Sequence, residues 1–137
     1  MTDTQGVEGS YVPFETTLHF DWTRPPLSMN NHGMDRFTRG KLTKEIRTAG
    51  RLAAEAARIP ALGKCRVTLT WFVLTKSRRD AINVCATLKP LADGIVDAGV
   101  VIDDAPAYMD TPMPTIVWLD KKLGHVAHME LRIERLP

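Results

Sequence analysis

Residues 65–99 read CRVTLTWFVLTKSRRDAINVCATLKPLADGIVDAG, and three patterns follow one another within them. Val67, Leu69, Trp71 and Val73 alternate with Arg66, Thr68, Thr70 and Phe72. That two-residue period predicts a strand over 65–74 with one buried face. A polar run from Thr75 to Asp80 breaks the alternation. Leu88, Leu91, Ala92, Ile95 and Val96 then recur at helical spacing. Thr87 is the expected N-cap of that helix, and Pro90 is expected in its first turn, where a missing N–H is no loss. Gly99 is expected to let the chain leave the helix in a left-handed conformation.

The same reading extends outward in both directions. Thr16, Leu18, Phe20 and Trp22 share one face, which predicts a strand over 16–22. TRPPLSMNNHG follows as a loop, because its prolines, asparagines and glycine favour turns. Leu42, Ile46, Ala49, Ala53 and Ala57 recur at intervals of three or four, so a helix is expected over 38–59, ended by Pro60 and Gly63. Strands are expected over 115–121 and 126–135, joined as a hairpin around Leu123, Gly124 and His125. The predicted order is β-α-β-α-β-β: an α+β fold with a mixed sheet and two helices packed on it. Residues 1–15 are expected to be a flexible tail before a single domain over 16–137. Trp22, Trp71 and Trp118 fall in strand patterns and are expected in the core.

At 137 residues the chain has the length of one domain, and its 44% apolar and 25% charged content argues against wholesale disorder. The net charge of +2 names no partner, but basic residues gather along the first helix, around Lys76, Arg78 and Arg79, and at Lys121 and Lys122. Such clusters suit phosphate and suit a solvated face equally well. The two cysteines have no metal-ligand spacing and read as reduced thiols, with a cytoplasmic location expected. No apolar run is long enough to span a membrane.

The chemistry-bearing residues are carboxylates. Asp80 follows the end of the central strand, and Asp103 and Asp104 follow the end of the second helix. One helix joins these points, so the acids can return to one place. Hard divalent cations take oxygen ligands, and two or three carboxylates commonly supply them in phosphodiester hydrolysis. An Asp at the end of an element is more often structural. His125 and His128 are expected on opposite faces of a strand, and His19 and His32 lack any partner spacing. Asp93 and Asp97 are expected on a solvated helix face, with Asp93 in reach of Lys89.

The stretch RRDAINVCATLKPLADGIVDAGVVIDDAPAYM resembles the signature of the RusA family of Holliday junction resolvases. There an arginine cluster runs into D-x-D-N, then a lysine, an apolar helix ending in Ala-Gly, and an acidic pair. Arg78 and Arg79 match the cluster, Asp80 the first acid, Asn83 the Asn, Ala98 and Gly99 the helix exit, and Asp103 and Asp104 the pair. Upstream, RPPLSMNNHG resembles the family's P-P-S-x-N-N loop.

The resemblance implies a homodimeric endonuclease that binds four-way DNA junctions and nicks them in pairs, of phage or prophage origin. Asp80, Asp103 and Asp104 would hold Mg²⁺ or Mn²⁺, and Lys89 would neutralise the scissile phosphate. Lys76, Arg78, Arg79, Asn30 and Asn31 would contact DNA; the two asparagines could equally close a turn. Ile82 departs from the pattern, since it stands where the family has a second acid. The alternative is therefore a junction-binding protein with weakened or lost cleavage.

Overall fold

The computed structural model of the chain describes residues 11–137. Its elements are β1 (Glu15–Phe20), α1 (Arg36–Ala56), β2 (Cys65–Val73), α2 (Cys85–Asp97), β3 (Met109–Asp110), β4 (Thr115–Trp118) and β5 (His128–Arg135). Short 3₁₀ turns cover Ala81–Val84 and Lys121–Leu123. The fold is α+β, with two helices on a mixed sheet, as the hydrophobic periods imply. Of the expected tail, residues 1–10 lie outside the described residues. The Tyr11 hydroxyl donates to the Arg135 carbonyl, the Arg135 N–H donates to the Phe14 carbonyl, and Glu15 already belongs to β1.

The sheet order is β1-β5-β2-β3, with β4 pairing β2 further along. β5 lies antiparallel between β1 and β2, whereas β3 and β4 run parallel to β2 on its other side. The expected hairpin of the last two strands is therefore not formed. The Gly124 turn, at φ 83°, carries the chain across β2, and β5 fills the gap between β1 and β2. β3, only two residues long, shows no alternation in sequence and was not expected.

One face of the sheet is the core face. Val67 and Leu69 of β2, Met129, Leu131 and Ile133 of β5, and Leu18 and Phe20 of β1 are buried there with Ile46 of α1 and Leu91 and Ile95 of α2. β1 stops at Phe20, short of Trp22, which stacks on Phe20 with centroids 4.7 Å apart. The tryptophans are not fully core: Trp22 and Trp71 are half-buried, and Trp118 is exposed on the sheet edge, its indole N–H donating to the Leu74 carbonyl at 3.2 Å.

Both helix starts differ from expectation. Asp35 caps α1, accepting from the Thr38 N–H at 2.7 Å, and so the helix begins two residues earlier than the apolar stripe indicates. It ends at Ala56 through Arg58, which holds φ 54° in the left-handed region; neither Pro60 nor Gly63 is reached. Thr87 is not an N-cap. The 3₁₀ turn runs straight into α2, leaving Thr87 buried inside the helix and Pro90 beyond the first turn. At the far end Gly99 behaves as expected. Its φ is 83°, and the Gly99 and Val100 N–H groups close back on the Val96 and Ile95 carbonyls.

Candidate functional site

The loop from β1 to α1 is fastened to the start of α2 by backbone and side-chain bonds. The Thr87 hydroxyl donates to the Leu27 carbonyl at 2.7 Å and accepts from the Leu27 N–H at 3.2 Å. The Met29 N–H donates to the Asn83 carbonyl at 3.1 Å, and the Trp71 indole N–H to the Thr23 carbonyl at 3.0 Å. These bonds close a cleft of about 500 Å³ lined by Arg24, Asn31, Trp71, Arg79, Asp80 and Asn83, among others. The two segments whose sequences carry the resemblance thus face each other across one cavity.

Asp80 sits half-exposed at the start of the 3₁₀ turn, and among the described residues its carboxylate has one ion-pair contact, with Arg78 at 3.4 Å. Arg78 itself is 88% exposed. Arg79 does different work. Its guanidinium donates to the Thr75 and Ser77 carbonyls and the Thr75 hydroxyl, and it lies over the Trp71 ring at 5.2 Å. Arg79 therefore shapes the loop that delivers Asp80. Lys76 rests its ammonium 4.3 Å above the Trp118 ring. Asn31 lines the cleft and Asn30 is exposed; the backbone of both closes the turn, the Asn31 N–H donating to the Ser28 carbonyl and the His32 N–H to the Asn30 carbonyl.

Asp104 lies in a neighbouring hollow of about 270 Å³, lined also by Cys85, Leu88, Lys89 and Met113. The Lys89 ammonium pairs with Asp104 and, at 3.0 Å, with Asp93. The Lys89 hydrogen bond holds the Asp104 carboxyl below its ordinary range, and the Asp104 carboxylate raises Lys89 in turn. Asp103 turns its carboxylate back to accept the Asp104 N–H at 2.8 Å. The Asp80 cleft and the Asp104 hollow therefore adjoin consecutive turns of one helical segment. The structure does not gather Asp80, Asp103 and Asp104 into one group with ligand atoms within 4.8 Å of one another. Ile82 is 56% exposed and so is not a core residue. Asp97, expected to be solvated, instead accepts two bonds from Arg47 at 2.6 and 2.8 Å and ties α2 to α1. Tyr108 packs against the core.

One cluster escaped sequence reasoning. His19, His128 and Glu130 place their ligand atoms within 4.8 Å of one another, the one such group of three His, Cys, Asp or Glu residues among the described residues. The β1–β5 register sets His19 opposite Glu130, beside His128. Alternation alone puts His128 and Glu130 on one face of their strand and His19 on the face opposite Leu18 and Phe20. The missing information is which strands are neighbours. Burial works against the His128 cation, but the Val126 carbonyl and Glu130 outweigh it and leave its pKa raised.

No known family model matches this chain, and no curated protein matches it in sequence.

Proposed function

We propose that this chain is a metal-dependent endonuclease of the RusA kind, acting as a homodimer on branched DNA and on four-way junctions in particular. The observation that carries the reading is the meeting of the proline-asparagine loop with the Arg79–Asn83 segment around the Asp80 carboxylate. Two stretches far apart in sequence would have no reason to resemble one enzyme's signature and also to line one cavity.

The donor chemistry fits a hard cation. Asp80 and Asp104 offer partly exposed carboxylate oxygens, and Asp80 is held only loosely. A bound Mg²⁺ or Mn²⁺ would lower the pKa of a water and stabilise charge on the phosphoryl oxygens. With Ile82 in the place of an acid and Asp104 in the adjoining hollow, Asp80 would be the first ligand of an ion that keeps several waters, and Asp104 would reach it only through a bound water or closure of the two hollows. Lys89 supplies a positive charge next to Asp104 that can turn to a phosphate oxygen. Arg78, nearly free in solvent, supplies backbone affinity that falls with salt. A two-fold dimer suits a junction because its two sites address strands of like polarity.

Two observations favour the alternative, a junction binder with weak or no cleavage: Lys89 already neutralises Asp104, and Ile82 contributes no ligand. The test is cleavage of a labelled four-way junction with Mg²⁺ or Mn²⁺, beside linear duplex of the same sequence. The nuclease reading expects slow junction cleavage, faster with Mn²⁺, and a higher rate for Ile82→Asp. Because Ile82 is exposed, that variant should melt at the wild-type temperature and bind junctions with unchanged affinity. Junction binding with no cleavage by either form leaves the binding-only reading. No preference for the junction over duplex overturns both.

A further inference from the structure

On the face of the sheet opposite the core, the pairing of β1 with β5 assembles a second and chemically different set of donors. His19 stacks on His128 with centroids 4.8 Å apart, and His128 stacks on Phe72 of β2 at 4.7 Å. The stack holds the His128 ring between His19 and Phe72, while His19 on the outside is more than half exposed. The Nδ1 of His128 lies 2.8 Å from the Val126 carbonyl, which can only accept, so Nδ1 carries a hydrogen. The Nε2 of His128 then faces the Glu130 carboxylate at 2.7 Å. In a neutral ring that nitrogen is a bare lone pair, and two acceptors confront each other. The Nε2 of His19 faces the Asp21 carboxylate at 2.9 Å. Between His128 and Glu130 the arrangement is a socket for positive charge, which a bound cation would fill.

We infer that His19, His128 and Glu130 form a binding site for a divalent transition ion of the zinc class, with Asp21 or water completing its coordination. Two imidazoles and a carboxylate are the ligands such ions take in tetrahedral sites, and they discriminate against Mg²⁺, which demands oxygen. Donor atoms about 2.1 Å from a tetrahedral ion lie about 3.4 Å from one another. The three here lie within 4.8 Å, and because ring-nitrogen lone pairs lie in the ring plane, binding requires the exposed His19 ring to turn out of its stack on His128 until its nitrogen meets the ion. The Nδ1–H bond to the Val126 carbonyl is the outer contact that orients a metal-binding histidine through its other nitrogen. His19 and Glu130 come from two paired strands, so the ion would staple the edge strand β1 to β5. This site is separate from the carboxylates of the proposed nuclease centre and does not depend on that reading.

The test uses the full chain stripped of metal, titrated with Zn²⁺ by calorimetry and with Co²⁺ by visible absorption. The expected result is one ion per chain, a Co²⁺ spectrum of tetrahedral nitrogen–oxygen type without a thiolate band, and no competition from excess Mg²⁺. At a Zn²⁺ concentration 100 times Kd, the folding constant should rise about 100-fold and the melting temperature with it. His19 is more than half exposed, so His19→Ala should fold normally and lose at least about tenfold in Zn²⁺ affinity. Glu130→Gln provides a second, nearly isosteric loss, and Glu55→Gln, on α1, should leave Zn²⁺ binding unchanged. Zn²⁺ binding that survives both His19→Ala and Glu130→Gln, a thiolate band in the Co²⁺ spectrum, or no saturable binding at all would each overturn the assignment.

Discussion

The crossing of α1 and α2 rests on two glycines, Gly50 and Gly94, and replacing Gly94 by alanine gives a sharp test of the fold that positions the site. A Cβ placed on Gly94 of α2 lies 2.2 Å from the Arg47 carbonyl oxygen and 2.9 Å from the Arg51 nitrogen of α1. Both are backbone atoms, so no side-chain rotation relieves the contact. Moving the oxygen out to an ordinary contact needs the helices to separate by about 1 Å, against close-packed neighbours. Overpacking of this kind costs about 1–3 kcal/mol, whereas alanine gains about 1 kcal/mol over glycine in a helix interior. The strain acts along the whole helix pair, including Ile46, Leu91 and the Arg47–Asp97 ion pair, so the upper end of the cost applies. The expected net loss for Gly94→Ala is about 2 kcal/mol, or about 6–10 °C in Tm for a domain of this size. Gly40 of α1 is the matched control. A Cβ there meets nothing within 4 Å, and Gly40→Ala should gain about 0.5–1 kcal/mol from helix propensity alone. Urea and thermal unfolding followed by circular dichroism measure both. Equal or greater stability of Gly94→Ala, at an unchanged urea m-value, would refute the close crossing.

Thr87→Val keeps the shape of the side chain but leaves both backbone polar groups of the buried Leu27 without their partner; a loss of about 2–3 kcal/mol is expected, with faster amide exchange at Leu27 and Met29. Lys89→Met removes the partner that lowers the Asp104 pKa, and so removes stability that the wild type holds above the ordinary aspartate range and loses as pH falls through the depressed Asp104 value. The raised Lys89 pKa adds a second limb, present below the ordinary lysine value and lost as pH rises through the folded one; the gap in Tm between the two proteins should be widest near neutral pH and close at both extremes. Arg78→Ala should reduce the log–log salt slope of junction binding by about 1, whereas Arg79→Ala should lower Tm and alter the cleft, because its guanidinium is bonded to the loop itself.

The parts of the fold legible in the sequence are those set by local periodicity. The alternation of β2 and β5 and the stripe of α2 predict most of the core face, whereas in α1 only Ile46 of the expected stripe is fully buried: Gly50 and Ala54 fill the contact, and Ala57 is exposed past the helix end. Where tertiary pairing decides, the pattern is silent. The residues of β4 and β5 flank a glycine turn and read as a hairpin, yet both pair β2, one on each side of it. Thr87 reads as a cap because threonine favours caps, but its hydroxyl serves a loop sixty residues upstream in sequence. The site divides the same way. Lys89 and Asp93 lie one helical turn apart, so their pairing follows from spacing. The encounter of Asn31 with Asp80 and that of His19 with His128 depend on how distant segments dock, and no local pattern carries that.

Charge is the property in which sequence and structure differ most consequentially. Read as a string, the chain offers many cations for phosphate. In the fold, Arg47 is held by Asp97, Arg51 by Glu55, Arg66 by Asp110, Lys89 by Asp104, and Arg132 by Glu15. Arg79 is bound to loop carbonyls and Lys76 to the Trp118 ring. Each engaged cation must break a protein contact to neutralise a phosphate, so it contributes less affinity than its charge implies. Arg78, beside the cleft, is almost fully exposed, and its acidic contact among the described residues, to Asp80, is long; Arg36, Lys41 and Lys44 of α1 likewise have no acidic partner among the described residues. Arg78 also sits next in sequence to Arg79, which lines the cleft. A phosphate drawn to Arg78 would compete for it with Asp80, releasing that carboxylate at the place where the proposed cation is needed. Substrate binding and ion binding would then favour each other, and divalent ions should strengthen junction affinity in wild type more than in Arg78→Ala.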